Sequence, residues 1–164
     1  GLLATPATVT RAYTDDLIDD YAGNCEVIRV GSNELVLQAE GLLAGQSVSL
    51  EVIKLILKPF LSDDVTPSVD TIVLGCTHFP LLKGHLHTVL PEVDWVDSGA
   101  AIAKRVHSLL SGRNIQSHGL VPNSPDLIEH QIYFSQSLPN DVIFKAALVK
   151  LGFLMSELHL LNVK

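Results

Sequence analysis

Thr71-Ile72-Val73-Leu74-Gly75-Cys76-Thr77-His78-Phe79-Pro80 decides how this chain folds. Thr71 to Leu74 is a continuous run of β-branched and aliphatic residues, the composition of a buried parallel strand. Gly75 stops the run, a cysteine follows at once, and Pro80 suits the first position of a helix, where a missing N–H costs nothing. The spacing predicts a strand over 71–74, a turn carrying Cys76, and a helix over 80–90 that ends at Pro91. Cys76 then stands at the carboxyl end of a strand, where open α/β sheets place their ligands. The N–H groups of the following helix start favour an anion there, and a thiol so placed can act as a base or nucleophile.

Outward from this stretch, strands and helices alternate. Gly1 to Ala4 reads as a strand, and Thr5 or Thr8 can cap a helix running toward Tyr21. That helix carries Asp15, Asp16, Asp19 and Asp20, the charge pattern of a solvated face. Cys25 to Val30 is a short alternating strand closed by Gly31, and a helix from about Asn33 to Leu43 ends at Gly45. Ser49 to Leu61 is a second helix with Val52, Ile53, Ile56, Leu57 and Phe60 on one face. A polar loop, Asp63 to Ser68, leads into the strand at Thr71. Asp94 to Val96 is a further short strand, and Ser98 caps a helix to about Leu110. Residues 111–126, rich in Ser, Gly, Asn and Pro, read as a loop. Ile132 to Ser135 is a strand, Val142 to Leu151 a helix ended by Gly152, and Leu158 to Val163 an edge strand. This rhythm predicts a parallel α/β sheet.

At 164 residues the chain can bury a core of ordinary size. A hydrophobic content of 47% with 18% charged residues excludes a disordered chain. No apolar run approaches the roughly 18–20 residues needed to span a membrane. The net charge of -7, without a Lys/Arg cluster, argues against a nucleic-acid surface. Cys25 and Cys76 are the two cysteines, and neither has a neighbour at zinc-ligand spacing or in a disulfide framework. That usage favours a reduced, cytoplasmic compartment. Neither a secretory or transit segment nor a glycine-rich phosphate loop is recognisable.

Gly75-Cys76-Thr77-His78-Phe79-Pro80-Leu81-Leu82, followed by Asp97-Ser98-Gly99-Ala100-Ala101, resembles the second half of the glutamate racemase family, within the aspartate/glutamate racemase superfamily. Three weaker pieces agree in order. Gly1 to Thr8 resembles the family's strand–turn–helix with paired threonines, Glu34 to Glu40 its acidic helix, and Ile132-Tyr133-Phe134-Ser135 its late strand. The resemblance implies two similar α/β domains facing each other, with the chain returning to the first at its end. On that basis residues 1–97 form the second, parallel-sheet racemase domain. Residues 98–164 are the returning carboxy-terminal part that completes the first, whose partner half is absent from this sequence. The chain then looks like a carboxy-terminal fragment. Phe79-Pro80-Leu81-Leu82 favours glutamate racemase over an aspartate racemase or a single-cysteine decarboxylase of the same superfamily. A non-catalytic binding protein is the alternative from a different class.

The resemblance also implies roles. Inverting an α-carbon means taking a proton from one face and delivering one to the other, which two general acid/base groups on opposite walls of a cleft accomplish most simply. The family uses two cysteines, and Cys76 matches the second. Its thiolate is favoured by the helix start and by His78, which is placed to orient the thiol or to hold substrate. Thr77 matches a position that offers its hydroxyl and N–H to a substrate carboxylate. Thr5 and Thr8 match the paired threonines at the cleft, a role that helix capping explains equally well. Glu40 matches an acidic residue beside the second base, or is an ordinary surface glutamate of its helix. Cys25 does not match the first base, because its Gly23-Asn24-Cys25-Glu26-Val27 context is not the family's Ala-Cys-Asn-Thr; it reads as structural, and Ser32, where many relatives carry a cysteine, as neutral. The implied reaction needs no cofactor and no metal, and it supplies D-glutamate for peptidoglycan. The implied partners are small-molecule glutamate and the missing amino-terminal half, with a homodimer allowed and neither nucleic acid nor membrane involved.

Overall fold

The computed structural model describes residues 1–63, 68–111, 131–137, 140–153 and 158–161. The apolar run at its centre forms a strand over the residues expected. With β1 at Leu2–Ala4, β2 at Arg29–Gly31, β3 at Thr71–Leu74 and β4 at Asp94–Val96, the strands order as β2-β1-β3-β4. Every pairing is parallel: Leu3 lies opposite Val30 on one side and Leu74 on the other, and Ile72 lies opposite Trp95. This is the parallel α/β architecture that the alternation of strands and helices predicts.

The connections are helical. They comprise α1 (Pro6–Val9), α2 (Ala12–Ala22), α3 (Glu34–Leu43), α4 (Leu50–Leu57), α5 (Lys83–Val89) and α6 (Gly99–Ser111). Ser49 caps α4 by accepting the Val52 N–H, and Gly45 beyond α3 takes a positive φ of 82°, as a helix-ending glycine should. Leu3, Ile72 and Leu74 from the sheet, Leu35 and Ala39 from α3, and Ile53 and Leu57 from α4 share one buried core with Phe60, Phe79, Leu82, Leu86 and Trp95. The apolar stripe predicted on α4 is therefore the one that packs.

Several boundaries differ from expectation, each for a local reason. The helix expected from Thr5 or Thr8 to Tyr21 is two helices, broken at Thr10–Arg11. Side-chain hydroxyls take carbonyls that a continuous helix would use: Thr10 donates to Pro6 O at 3.1 Å and Thr14 to Thr8 O at 2.6 Å. The strand expected over Cys25 to Val30 begins only at Arg29, because its neighbour β1 offers three residues to pair with. The helices expected over 49–61 and 80–90 each include a 3₁₀ turn, at Lys58–Phe60 and Phe79–Leu82. At 98 the expected start holds, since Ser98 O accepts the Ile102 N–H at 2.9 Å, and the Asp97 carboxylate adds a side-chain bond by accepting the Gly99 N–H at 2.9 Å. The loops expected at 63–68 and 111–126 lie largely outside the described residues.

Two compact units emerge: Gly1–Leu42 with Ser47–Lys104, and Leu43–Gln46 with Arg105–Lys164. The first holds the four-stranded sheet. In the second, β5 (Ile132–Phe134) and β6 (Leu158–Leu160) pair in parallel, and α7 (Asp141–Lys150) packs Phe144 edge-on against Phe134 at 5.4 Å. Asn140 caps α7 by accepting the Ile143 N–H, and Gly152 beyond it has a φ of 92°. The last strand, expected to run to Val163, stops at Leu160 with Leu161 already outside it, and residues 162–164 lie outside the described residues. Among the described residues no helix is long and apolar enough to cross a membrane.

Candidate active site

The strand order locates the site before any side chain does. From β1 the chain moves to β2 on one side, then crosses back to β3 on the other. The order therefore reverses between β1 and β3, and open α/β sheets bind ligands in the crevice at the carboxyl side of such a point. Thr5 follows β1 and Cys76 follows β3, so both candidate positions flank it. The two strand ends sit tightly together. Gly75 donates its N–H to Leu3 O at 2.8 Å, and a Cβ on Gly75 would stand 3.0 Å from the Ala4 Cβ. A larger residue before Cys76 would push the strand ends apart.

Three of the candidates meet directly. The Cys76 Sγ lies 3.8 Å from His78 Nδ1, and His78 Nε2 lies 2.7 Å from Glu40 Oε1. The short turn after β3 produces the first contact, with Phe79 N–H bonded to Cys76 O and Leu81 N–H to His78 O. Phe79 and Leu82 anchor that turn by complete burial. Glu40 arrives from α3, whose inner face is pinned by Leu35 and Ala39. An ionised Glu40 can only accept, so in the neutral ring it holds the proton on Nε2 and leaves Nδ1 free to take one from the thiol. The arrangement is a thiol, an imidazole and a carboxylate in series. It is half open to solvent: the His78 and Glu40 side chains are 36% and 58% exposed.

Thr77 is exposed between Cys76 and His78. The Thr5 and Thr8 hydroxyls share a hydrogen bond of 2.9 Å, and Thr5 Oγ1 also accepts the Thr8 N–H at 3.3 Å. Thr5 is thus the cap of α1, and that role coexists with a place at the crevice. Ser32, just past β2, is buried, and its hydroxyl accepts the Leu35 N–H at 3.1 Å, which braces the first turn of α3. Cys25 is exposed in the connection from α2 to β2, on the opposite, amino side of the sheet.

One pair went unread in the sequence. Asp97 accepts the Gly99 N–H and, through its other oxygen, the Lys83 ammonium at 3.1 Å. The backbone N–H foremost, and Lys83 after it, hold this carboxyl below the ordinary carboxylate range. The pair ties the start of α5, just beyond the Cys76 turn, to the end of β4. The available signal was an aspartate two residues before a glycine at a strand end. Among the described residues no group of three or more His, Cys, Asp or Glu side chains is placed to hold a metal ion.

No protein-family model matches the chain. Individual proteins do. A glutamate racemase of Sodalis glossinidius is 44% identical over 154 residues, covering 93% of this chain and 51% of that protein. One from Salmonella paratyphi A is 56% identical over 111 residues, covering 67% of this chain and 38% of that protein. The crystal structure of Escherichia coli glutamate racemase, in complex with L-glutamate and the activator UDP-MurNAc-Ala, superposes with a TM-score of 0.79 at 41% identity. That superposition covers 100% of this chain and 58% of the other. The chain is thus similar to glutamate racemases in sequence along nearly all of its own length, and in fold along all of it. It spans about half or less of the length of the curated relatives it matches.

Proposed function

We propose that this chain is a portion of a glutamate racemase, corresponding to the carboxy-terminal part that the sequence resembles, and that it carries one of the two bases of a cofactor-independent inversion. The observation that supports this most is the Cys76–His78–Glu40 series at the point where strand order reverses, within a chain 44% identical to a glutamate racemase. Cys76 is the base on this wall. As thiolate it takes the α-proton from one face of bound glutamate, and a thiol on the opposite wall delivers a proton to the other face, so the proton count balances and the configuration inverts. His78 accepts the Cys76 proton to generate the thiolate, and Glu40 holds the ring in the useful orientation. After turnover Cys76 holds the α-proton, His78 releases its own to solvent and the opposite thiolate takes one up. Thr77, Thr5 and Thr8 offer hydroxyls to the substrate's carboxylates.

Residues 98–164 complete the other domain, and the remaining half of the enzyme supplies the second base. A cytoplasmic enzyme that feeds D-glutamate to peptidoglycan synthesis fits the cysteine usage and the relatives. The test is Cys76→Ala in the full-length protein. Turnover of both enantiomers falls by at least the roughly 10²–10⁴-fold that a positioned general base contributes, with the circular dichroism spectrum unchanged. Near-normal turnover in either direction would remove Cys76 from the chemistry.

A further inference from the structure

Behind the threonine pair lies a hydroxyl that the proposed chemistry does not use. Thr14, in the first turn of α2, is 7% exposed and is, with Ser32, one of two buried polar residues among those described. Its hydroxyl does not bond within its own helix. It reaches back six positions, across the break at Thr10–Arg11, and donates to the main-chain oxygen of Thr8 at 2.6 Å. Thr8 in turn shares its own hydroxyl with Thr5 and donates its N–H to Thr5 O at 2.9 Å. The same joint has a second brace, because the Arg29 guanidinium bonds Val9 O at 3.4 Å and pairs with Asp15. Beneath it, a Cβ on Gly31 would stand 2.8 Å from Pro6 Cα, so α1 rests directly on the end of β2.

A valine at position 14 would fill nearly the same space without the hydroxyl, so packing alone does not call for threonine. What the hydroxyl adds is the placement of one carbonyl, and that carbonyl belongs to Thr8. We propose that Thr14 is a positioning residue: its hydroxyl fixes Thr8, and through it the Thr5–Thr8 pair, in the orientation that receives a carboxylate of glutamate. This rests on the proposed function for the identity of the ligand.

The experiment compares Thr14→Val with Thr14→Ser in the full-length protein, using steady-state racemisation of glutamate and amide hydrogen exchange at Thr8 and Val9. Thr14→Val raises KM by about threefold to tenfold with kcat within about twofold, the scale of one lost hydrogen bond, and Thr14→Ser restores KM. An unchanged KM, a loss confined to kcat, or a serine variant as impaired as the valine variant overturns the proposal. If the wild type does not racemise glutamate, the functional assignment fails, and the placement of Thr8 is judged by exchange alone. There, faster exchange in the valine variant with recovery in serine supports the proposal, and equal rates in all three overturn it. If the valine variant does not fold, Thr14→Ala takes its place. Loss of folding in both, with serine normal, would make the hydroxyl a folding determinant and overturn its role at the site.

Discussion

Replacing Glu40 by glutamine removes a charge while keeping size and one carbonyl acceptor. In the folded chain this carboxylate holds His78 Nε2 at 2.7 Å, but 58% of its side chain and 36% of the histidine's are exposed. Solvent screens a pair of that kind, and exposed ion pairs contribute only about 0.2–1 kcal/mol. At about 1.4 kcal/mol per tenfold in rate, the whole orienting effect is at most about fivefold. Glu40→Gln still accepts the Nε2 proton, so it lowers kcat by no more than about twofold; Glu40→Ala, which frees the ring to turn, reaches the full fivefold. The assay is kcat for both enantiomers in the full-length protein, followed by circular dichroism, with thermal unfolding as a control for folding. A hundredfold loss in Glu40→Gln would refute the reasoning, because it requires a pair sealed from water rather than the half-open one seen here. Equal rates in wild type, glutamine and alanine variants would show that the carboxylate does not orient His78 at all.

Three further outcomes are expected. Phe79→Ala removes a fully buried ring beside the Cys76 turn and costs about 3–5 kcal/mol in urea unfolding; a cost under about 1 kcal/mol would place Phe79 outside the core. Because the folded-state carboxyl of Asp97 lies below its unfolded value, its stabilising contribution is present above the ordinary carboxylate range and lost as pH falls through the lower, folded value. Asp97→Asn therefore flattens the acid limb of the stability curve, and an acid limb identical to wild type would contradict that linkage. The 164-residue chain by itself does not invert glutamate, since it offers one thiol base; deuterium wash-in set against optical rotation tests this, and robust inversion would reveal a second base in this sequence.

What the sequence made legible follows from the range of the forces involved. β3 was readable as an unbroken apolar run, although the structure buries Ile72 and Leu74 and leaves Val73 exposed, and α4 because its serine cap and apolar stripe are local signals. The Cys76–His78 contact was readable for the same reason, being fixed by two residues of chain. The break between α1 and α2 was not, because it depends on which carbonyl the Thr14 hydroxyl selects, a choice settled only when the side chain is buried. The length of β2 was set by its partner, not by its own composition. Glu40 stayed ambiguous because 38 positions separate it from His78, and only the packing of α3 against the sheet brings them within a hydrogen bond.

Strand order carries the rest of the functional inference, and composition cannot supply it. Alternating strands and helices are compatible with several parallel orders, and each would put different loops side by side. In the order β2-β1-β3-β4 the segments that follow β1 and β3 become neighbours, and these carry Thr5 and Cys76. Hydroxyls suited to a carboxylate on one side and a base on the other are the two requirements for removing a proton next to that carboxylate. Both lie on the same sheet, however, and a bound α-carbon presents only one face to it. A base on this sheet can take or give a proton from that face and no other. The acid/base role proposed for Cys76 therefore also requires a second wall, and the proposed inversion belongs to the assembly of both.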